Sequence, residues 1–256
     1  MPASVKLQEQ YGDDVQVIFI ECQNTDKNTY EAFAWKMKWM GNGALWTNER
    51  VIPTTGSGLP EVAVIGVDGT VLLQGHPGDF GKKLEETVAA EVKKSKEAPE
   101  GTPASLKKAW STFAKGDVTG ALAEADKVGG DEGSAARAEF VRRVEARLAR
   151  AKRMLEAGDV AETEALVASL QKSCKGAPDL LAQVSELATR IASPELAAER
   201  EAAKAWSNFS SKVAKEKPFD EGNVKKAQAI ADKHKGTKNG ARAARFVELS
   251  KINLNR

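Results

Sequence analysis

Cys22, Cys174, His76 and His234 are the chain's only thiols and imidazoles. A dithiol cycle needs one low-pKa thiolate to attack a disulfide and a second thiol nearby to resolve the mixed intermediate. Neither cysteine has such a neighbour in sequence. The histidines stand far apart, without a Cys or His at ligand spacing, so no metal site is expected and no cofactor. His76-Pro77-Gly78-Asp79 reads as a turn in which Asp79 caps the helix that follows. Thr54-Thr55-Gly56-Ser57-Gly58 is glycine-rich but lacks the lysine and helix start of a phosphate cradle. Cys22 ends an apolar run and reads first as a small buried hydrophobe, then as a candidate lone thiol. Residues 27–46 crowd together Tyr30, Phe33, Trp35, Trp39 and Trp46. At helical spacing Phe33 and Met37 share one face, while Trp35 and Trp39 form a second stripe. The cluster is expected to pack between a sheet and neighbouring helices, with a peptide-binding surface of Trp35, Trp39 and Trp46 as the sharper alternative.

The elements around these residues follow from pattern. Residues 15–22 are β-branched and nearly all apolar, as in a strand covered on both faces. Residues 62–67 and 70–75 flank Asp68-Gly69, which predicts a hairpin with a type I′ turn. A helix over 79–94 would carry Phe80, Leu84, Val88 and Val92 as its apolar stripe.

Taken together, the amphipathic run after Pro2, the strand at 15–22, the Gly58-Leu59-Pro60 turn, the hairpin and the closing helix resemble the thioredoxin superfamily, in its thiol–disulfide oxidoreductase or redoxin branch. The resemblance implies an α/β N-terminal domain over 1–97 with about three strands. It also implies that Gly58, Leu59 and Pro60 form the cis-proline loop, so that Pro60 is cis. In that family the Cys-x-x-C sits just before the helix-bending proline, here Pro2, with only Met1 ahead of it. The chain therefore reads as such a domain without its first strand and active-site motif, which an upstream segment would carry, as it would any export leader. In the resembled fold the absent strand separates 15–22 from 62–67. These two are expected to pair directly, giving a three-stranded sheet.

Residues 98–103 are polar with two prolines and read as a linker. From 104 to 256 the pattern is helical and repeats. Gly116-Asp117 returns as Gly158-Asp159, 42 residues later; each Gly suits a left-handed helix end and each Asp the next N-cap. Ala109-Trp110-Ser111-Thr112-Phe113 is echoed by Ala205-Trp206-Ser207-Asn208-Phe209, and Ala138-Glu139-Phe140-Val141 by Ala244-Arg245-Phe246-Val247. Helices are predicted near 104–115, 117–128, 132–157, 159–174, 178–192, 194–216, 221–235 and 238–253. This array is similar to tetratricopeptide repeats, although its spacing exceeds their usual ~34 residues. Trp110 and Trp206 are expected to pack between helices.

With 38 basic and 36 acidic residues the net charge is +2, too little to single out nucleic acid or an anionic membrane as partner. No stretch approaches the ~20 apolar residues of a membrane span, so the chain as given reads as soluble and cytoplasmic, or as exported if a leader stands upstream. Two functions compete. One is a thioredoxin-like oxidoreductase relative, redox-inactive in this chain. The other is a non-catalytic adaptor or holdase, resembling bacterial proteins that join a thioredoxin-like domain to helical repeats. The expected partners are protein clients or a redox partner protein.

Overall fold

The computed structural model describes residues 3–40, 45–49, 52–56 and 58–252. Its contacts divide the chain into two compact units. Unit 1 is Met1–Ser95, Asn208–Ala227 and Arg245–Arg256; unit 2 is Lys96–Ser207 and Gln228–Ala244.

Unit 1 begins with α1 (Ala3–Tyr11), β1 (Ile18–Ile20), α2 (Lys27–Lys36) and β2 (Leu45–Thr47). β3 (Val62–Ile65), β4 (Val71–Gly75) and α3 (Lys83–Lys96) follow. β1 and β2 run parallel, with Phe19 opposite Trp46. β3 and β4 form a separate antiparallel pair. Leu7, Val88 and Val92 make a small buried cluster, with Tyr11, Val15, Val64 and Leu84 packed against it. Of the expected stripe, Leu84, Val88 and Val92 therefore lie on the face that α3 buries, while Phe80 precedes the helix. The helix starts later than expected, because Pro77–Asp79 is a 3-10 turn. Its cap is His76, whose Nδ1 accepts from the Gly78 N–H at 3.1 Å, not Asp79.

The expected α/β fold with about three strands in one sheet is overturned. The protein is 67% helical, with eleven helices and two two-stranded sheets among the described residues. β1 does not pair with β3. It is only three residues long, because the preceding Val17 N–H is taken by the Gln8 Oε1 of α1, and its ladder partner is β2, continued by Glu21 N–H to Thr47 O at 2.8 Å. The hairpin turn differs too. Gly69 N–H bonds Gly66 O and Gly66 N–H bonds Thr70 O, and Gly69 alone in the turn has positive φ, +83°. This is a type I turn with a bulge at Gly69 rather than type I′. The Asp68 carboxylate accepts from the Thr70 N–H and hydroxyl. That local bond holds Asp68 at negative φ, leaving the left-handed residue to Gly69. Pro2 lies outside the described residues.

Unit 2 is built from α4 (Lys107–Ala114), α5 (Val118–Val128), α6 (Gly130–Ala157), α7 (Val160–Ser173) and α8 (Pro178–Ala192). α9 (Ala197–Val213), α10 (Glu221–Lys233) and α11 (Lys238–Leu249) run through residues of both units. All eight helices predicted beyond residue 104 are present. Gly116 and Gly158 have φ of +84° and +91°, ending α4 and α6 as a residue without Cβ can. Asp117 caps α5 through the Gly120 N–H at 2.8 Å. Asp159 does not cap α7; its carboxylate accepts from Arg242 Nη1 at 2.6 Å. A continuous core runs from Leu106 to Ala203. Within it Trp110 lies 4.8 Å from Phe140, and Phe113 stacks on Phe140 at 4.6 Å. The sequence echo is a packing echo, since Phe209 meets Phe246 at 5.1 Å in unit 1.

Candidate functional site

The junction between β1 and α2 gathers most of the chemistry-bearing residues of unit 1. β1 delivers Glu21 and Cys22 at its carboxyl end. Asp26, whose carboxylate accepts from the Asn28 and Thr29 N–H groups, starts α2. α2 returns Tyr30 to the same place. Glu21 is buried, and its carboxylate accepts the Gln23 N–H at 2.6 Å. Tyr30 is 8% exposed. Burial, with the Glu21 carboxylate and the Cys22 thiol as neighbours, pushes its hydroxyl up to about 12. Tyr30 therefore keeps its proton near neutrality. Its ring meets Trp46 at 5.3 Å, and Lys27 Nζ lies 5.5 Å above the Trp46 ring.

Cys22 is half-buried, Cys174 is buried, and neither forms a disulfide. Burial raises the Cys174 thiol, which keeps it protonated and inert. No group of His, Cys, Asp or Glu among the described residues could hold a metal ion. The Leu59–Pro60 peptide is cis, and Gly58 has φ of +109°. Leu59 is half exposed. The loop ahead of it is tied to the hairpin by Thr55 N–H to Glu61 and by Gln74 Nε2 to Pro53 O. The Thr55 N–H and the Gln74 side-chain amide, both donating to its oxygens, hold the Glu61 carboxyl below its ordinary range. Because the two sheets are separate, no strand ladder among the described residues joins Cys22 to the Gly58-Leu59-Pro60 loop.

The structure splits the three tryptophans. Trp35 is 6% exposed and packs edge-on against Phe246 at 5.0 Å. It is core, not surface. α2 ends at Lys36 in a Schellman arrangement, with Trp39 N–H to Ala34 O and Lys38 N–H to Trp35 O. Lys38 takes the left-handed position usually left to glycine, φ +62°. Trp39 is thereby turned out of the helical stripe and stacks on Phe19 at 4.6 Å. Trp46 lies in β2, not on a helix. What α2 exposes is Phe33 at 40% and Met37 at 45%. The shared face of Phe33 and Met37 was readable from spacing. The tie that Arg245 makes to Glu31 at 2.7 Å and to Asn28 at 2.6 Å was not.

Unit 2 has a different character. Asn239, 1% exposed, donates to Gly158 O and Glu199 Oε1, each at 2.7 Å. Glu199 also accepts the Lys238 and Asn239 N–H groups, so a carboxylate sits on the N-terminus of α11. Every donor and acceptor here serves packing. An open groove of about 330 Å³ runs past Val167, Gln171 and Ile191. Arg200 at its side donates Nη1 to the Ile191 and Ser193 carbonyls, which completes the end of α8.

Among the described residues, no helix is long and apolar enough to cross a membrane. Compared with known proteins, the chain matches no family model, no curated protein and no solved structure.

Proposed function

We propose that this chain is a non-catalytic protein-binding module, an adaptor or holdase that engages client segments through unit 1 while the helical hairpins of unit 2 serve as scaffold. The observation that supports it is the distribution of exposed apolar side chains. Nine large hydrophobic residues are exposed among the described residues, Ile18, Ile65 and Val67 above 50%, and all nine lie in unit 1. A chain that folds for itself alone seldom leaves such residues clustered in one part while closing the other. The thiols support no dithiol cycle, since Cys174 is buried in a helical core.

Two assays on the purified chain test this. Aggregation of a denatured client, followed by light scattering, should slow at stoichiometric amounts of the protein. Insulin reduction should stay at the background rate and be unchanged by Cys22→Ser. Insulin reduction that Cys22→Ser abolishes, or client aggregation at an undiminished rate, overturns the proposal.

A further inference from the structure

We infer that the open strand edges of unit 1 accept one class of occupant: an extended, β-branched apolar segment flanked by lysine or arginine, added as a further strand. This rests on the protein-binding reading above and names the segment bound. Each of the four strands has a single strand partner among the described residues, so each keeps one edge without a ladder. Two-stranded sheets of this length are marginal alone, and a packed helix, as under β3, or a further strand stabilises them. The bare side chains follow strand periodicity. Ile18 and Ile20 are exposed on the side of β1 opposite Phe19, and Ile65 and Val71, cross-strand partners in the hairpin, are exposed together.

Natural sheet edges are guarded by lysine, proline or inward charge. Neither Ile18–Ile20 nor the hairpin from Val62 to Gly75 contains a Lys, an Arg or a Pro. The chain segments that carry them are acidic. Residues 7–26 and 51–81 include no Lys or Arg and eight Asp or Glu, in a chain whose net charge is +2. Glu61 and Asp68 flank β3; the Lys94 ammonium lies 3.8 Å from Asp68 and offsets only part of this field. A second copy of the chain, strand to strand, would bring acidic segments together. A basic-flanked strand meets them with opposite charge, gaining main-chain hydrogen bonds from the edge and apolar contact from its alternate side chains.

The probe is a fluorescent peptide with a Val-Thr-Val-Ile-Val centre and two lysines at each end, titrated into the full chain beside a twin with glutamates in place of the lysines. The lysine peptide should bind saturably and at least tenfold more tightly than its twin. The difference should shrink as salt rises. Hydrogen exchange should slow at the amides of Ile18–Ile20 or Val62–Ile65 in the complex. Ile18→Thr and Ile65→Lys, at exposed positions, should each weaken binding severalfold with an unchanged circular dichroism spectrum. Equal affinity for the two peptides, protection confined to other segments, or a self-associated chain that excludes the peptide overturns the inference. Suppressed client aggregation without peptide binding would refute this occupant and leave the protein-binding function standing; loss of both refutes both.

Discussion

Position 139 in α6 and position 245 in α11 occupy the same place in two copies of one motif, yet they carry opposite charges. Glu139 stays within its own helix, accepting two bonds from Arg142 at 2.7 Å and one from Arg143 at 2.8 Å. Arg245 reaches instead to Glu31, whose side chain is only 10% exposed. The Arg142 bonds, then Arg143, hold the Glu139 carboxyl down to about 2 from its ordinary 4.5. A group whose pKa falls on folding stabilises the native state fully above the unfolded value, and that contribution disappears as pH drops through the folded one. The window is therefore pH 4.5 to 2. Water reaches this triad, so screening limits the effect to about 1 kcal/mol or less. Urea unfolding of Glu139→Gln should show such a deficit at pH 6 that closes by pH 2. A gap of constant size across that range would show that Glu139 does not act through its charge.

At the scale of elements, α2 shows what a periodic pattern can and cannot tell. Helical spacing correctly separated Phe33 and Met37 from Trp35. It could not say which stripe is buried, because the residue that covers Trp35 is Phe246, near the far end of the chain. Trp35→Ala should cost about 3–5 kcal/mol, as buried aromatic truncations do, and client binding should fall only in proportion to folded protein. Phe33→Ser should cost about 1 kcal/mol or less, since it gives up one edge contact with Trp39 at 5.4 Å. Stability data in the reverse order would return Trp35 to the surface. The same logic explains why the helices of 104–192 and the hairpin strands were legible and β2, with the pairing of β1, was not. Gly116, Gly158 and Asp117 mark helix ends by local chemistry, whereas Leu45–Thr47 is a strand only because Ile18–Ile20 lies beside it. Three residues carry too little pattern to announce a partner. The candidate site suffered likewise: Cys22 and Tyr30 come together through the turn before α2, a contact that neither residue's own neighbourhood specifies.

For the whole molecule, the decisive fact is that the compact units are not contiguous stretches of chain. Composition changes near residue 100, and a domain was expected to end at 97. The contacts of unit 1, however, also draw in Asn208–Ala227 and Arg245–Arg256. Those late segments are not trimmings. Phe246 is 1% exposed, with Trp35, Phe209 and Phe219 all within about 5 Å of its ring. Arg245 closes over Glu31 and Asn28, and Lys38 Nζ donates to Lys215 O. Residues 1–97 alone would expose Trp35, leave Glu31 buried beside no arginine, and retain two short sheets whose outward apolar faces are already bare. The lost aromatic burial alone, about 3–5 kcal/mol, is comparable with the lower end of a domain's stability of ~5–15 kcal/mol. A fragment of residues 1–97 should therefore lack dispersed amide resonances and show no cooperative urea transition, while adding back residues 197–256 in trans should restore protection at α2. If the fragment by itself unfolds cooperatively, the late segments are accessories and the boundary at 97 marks a true folding unit.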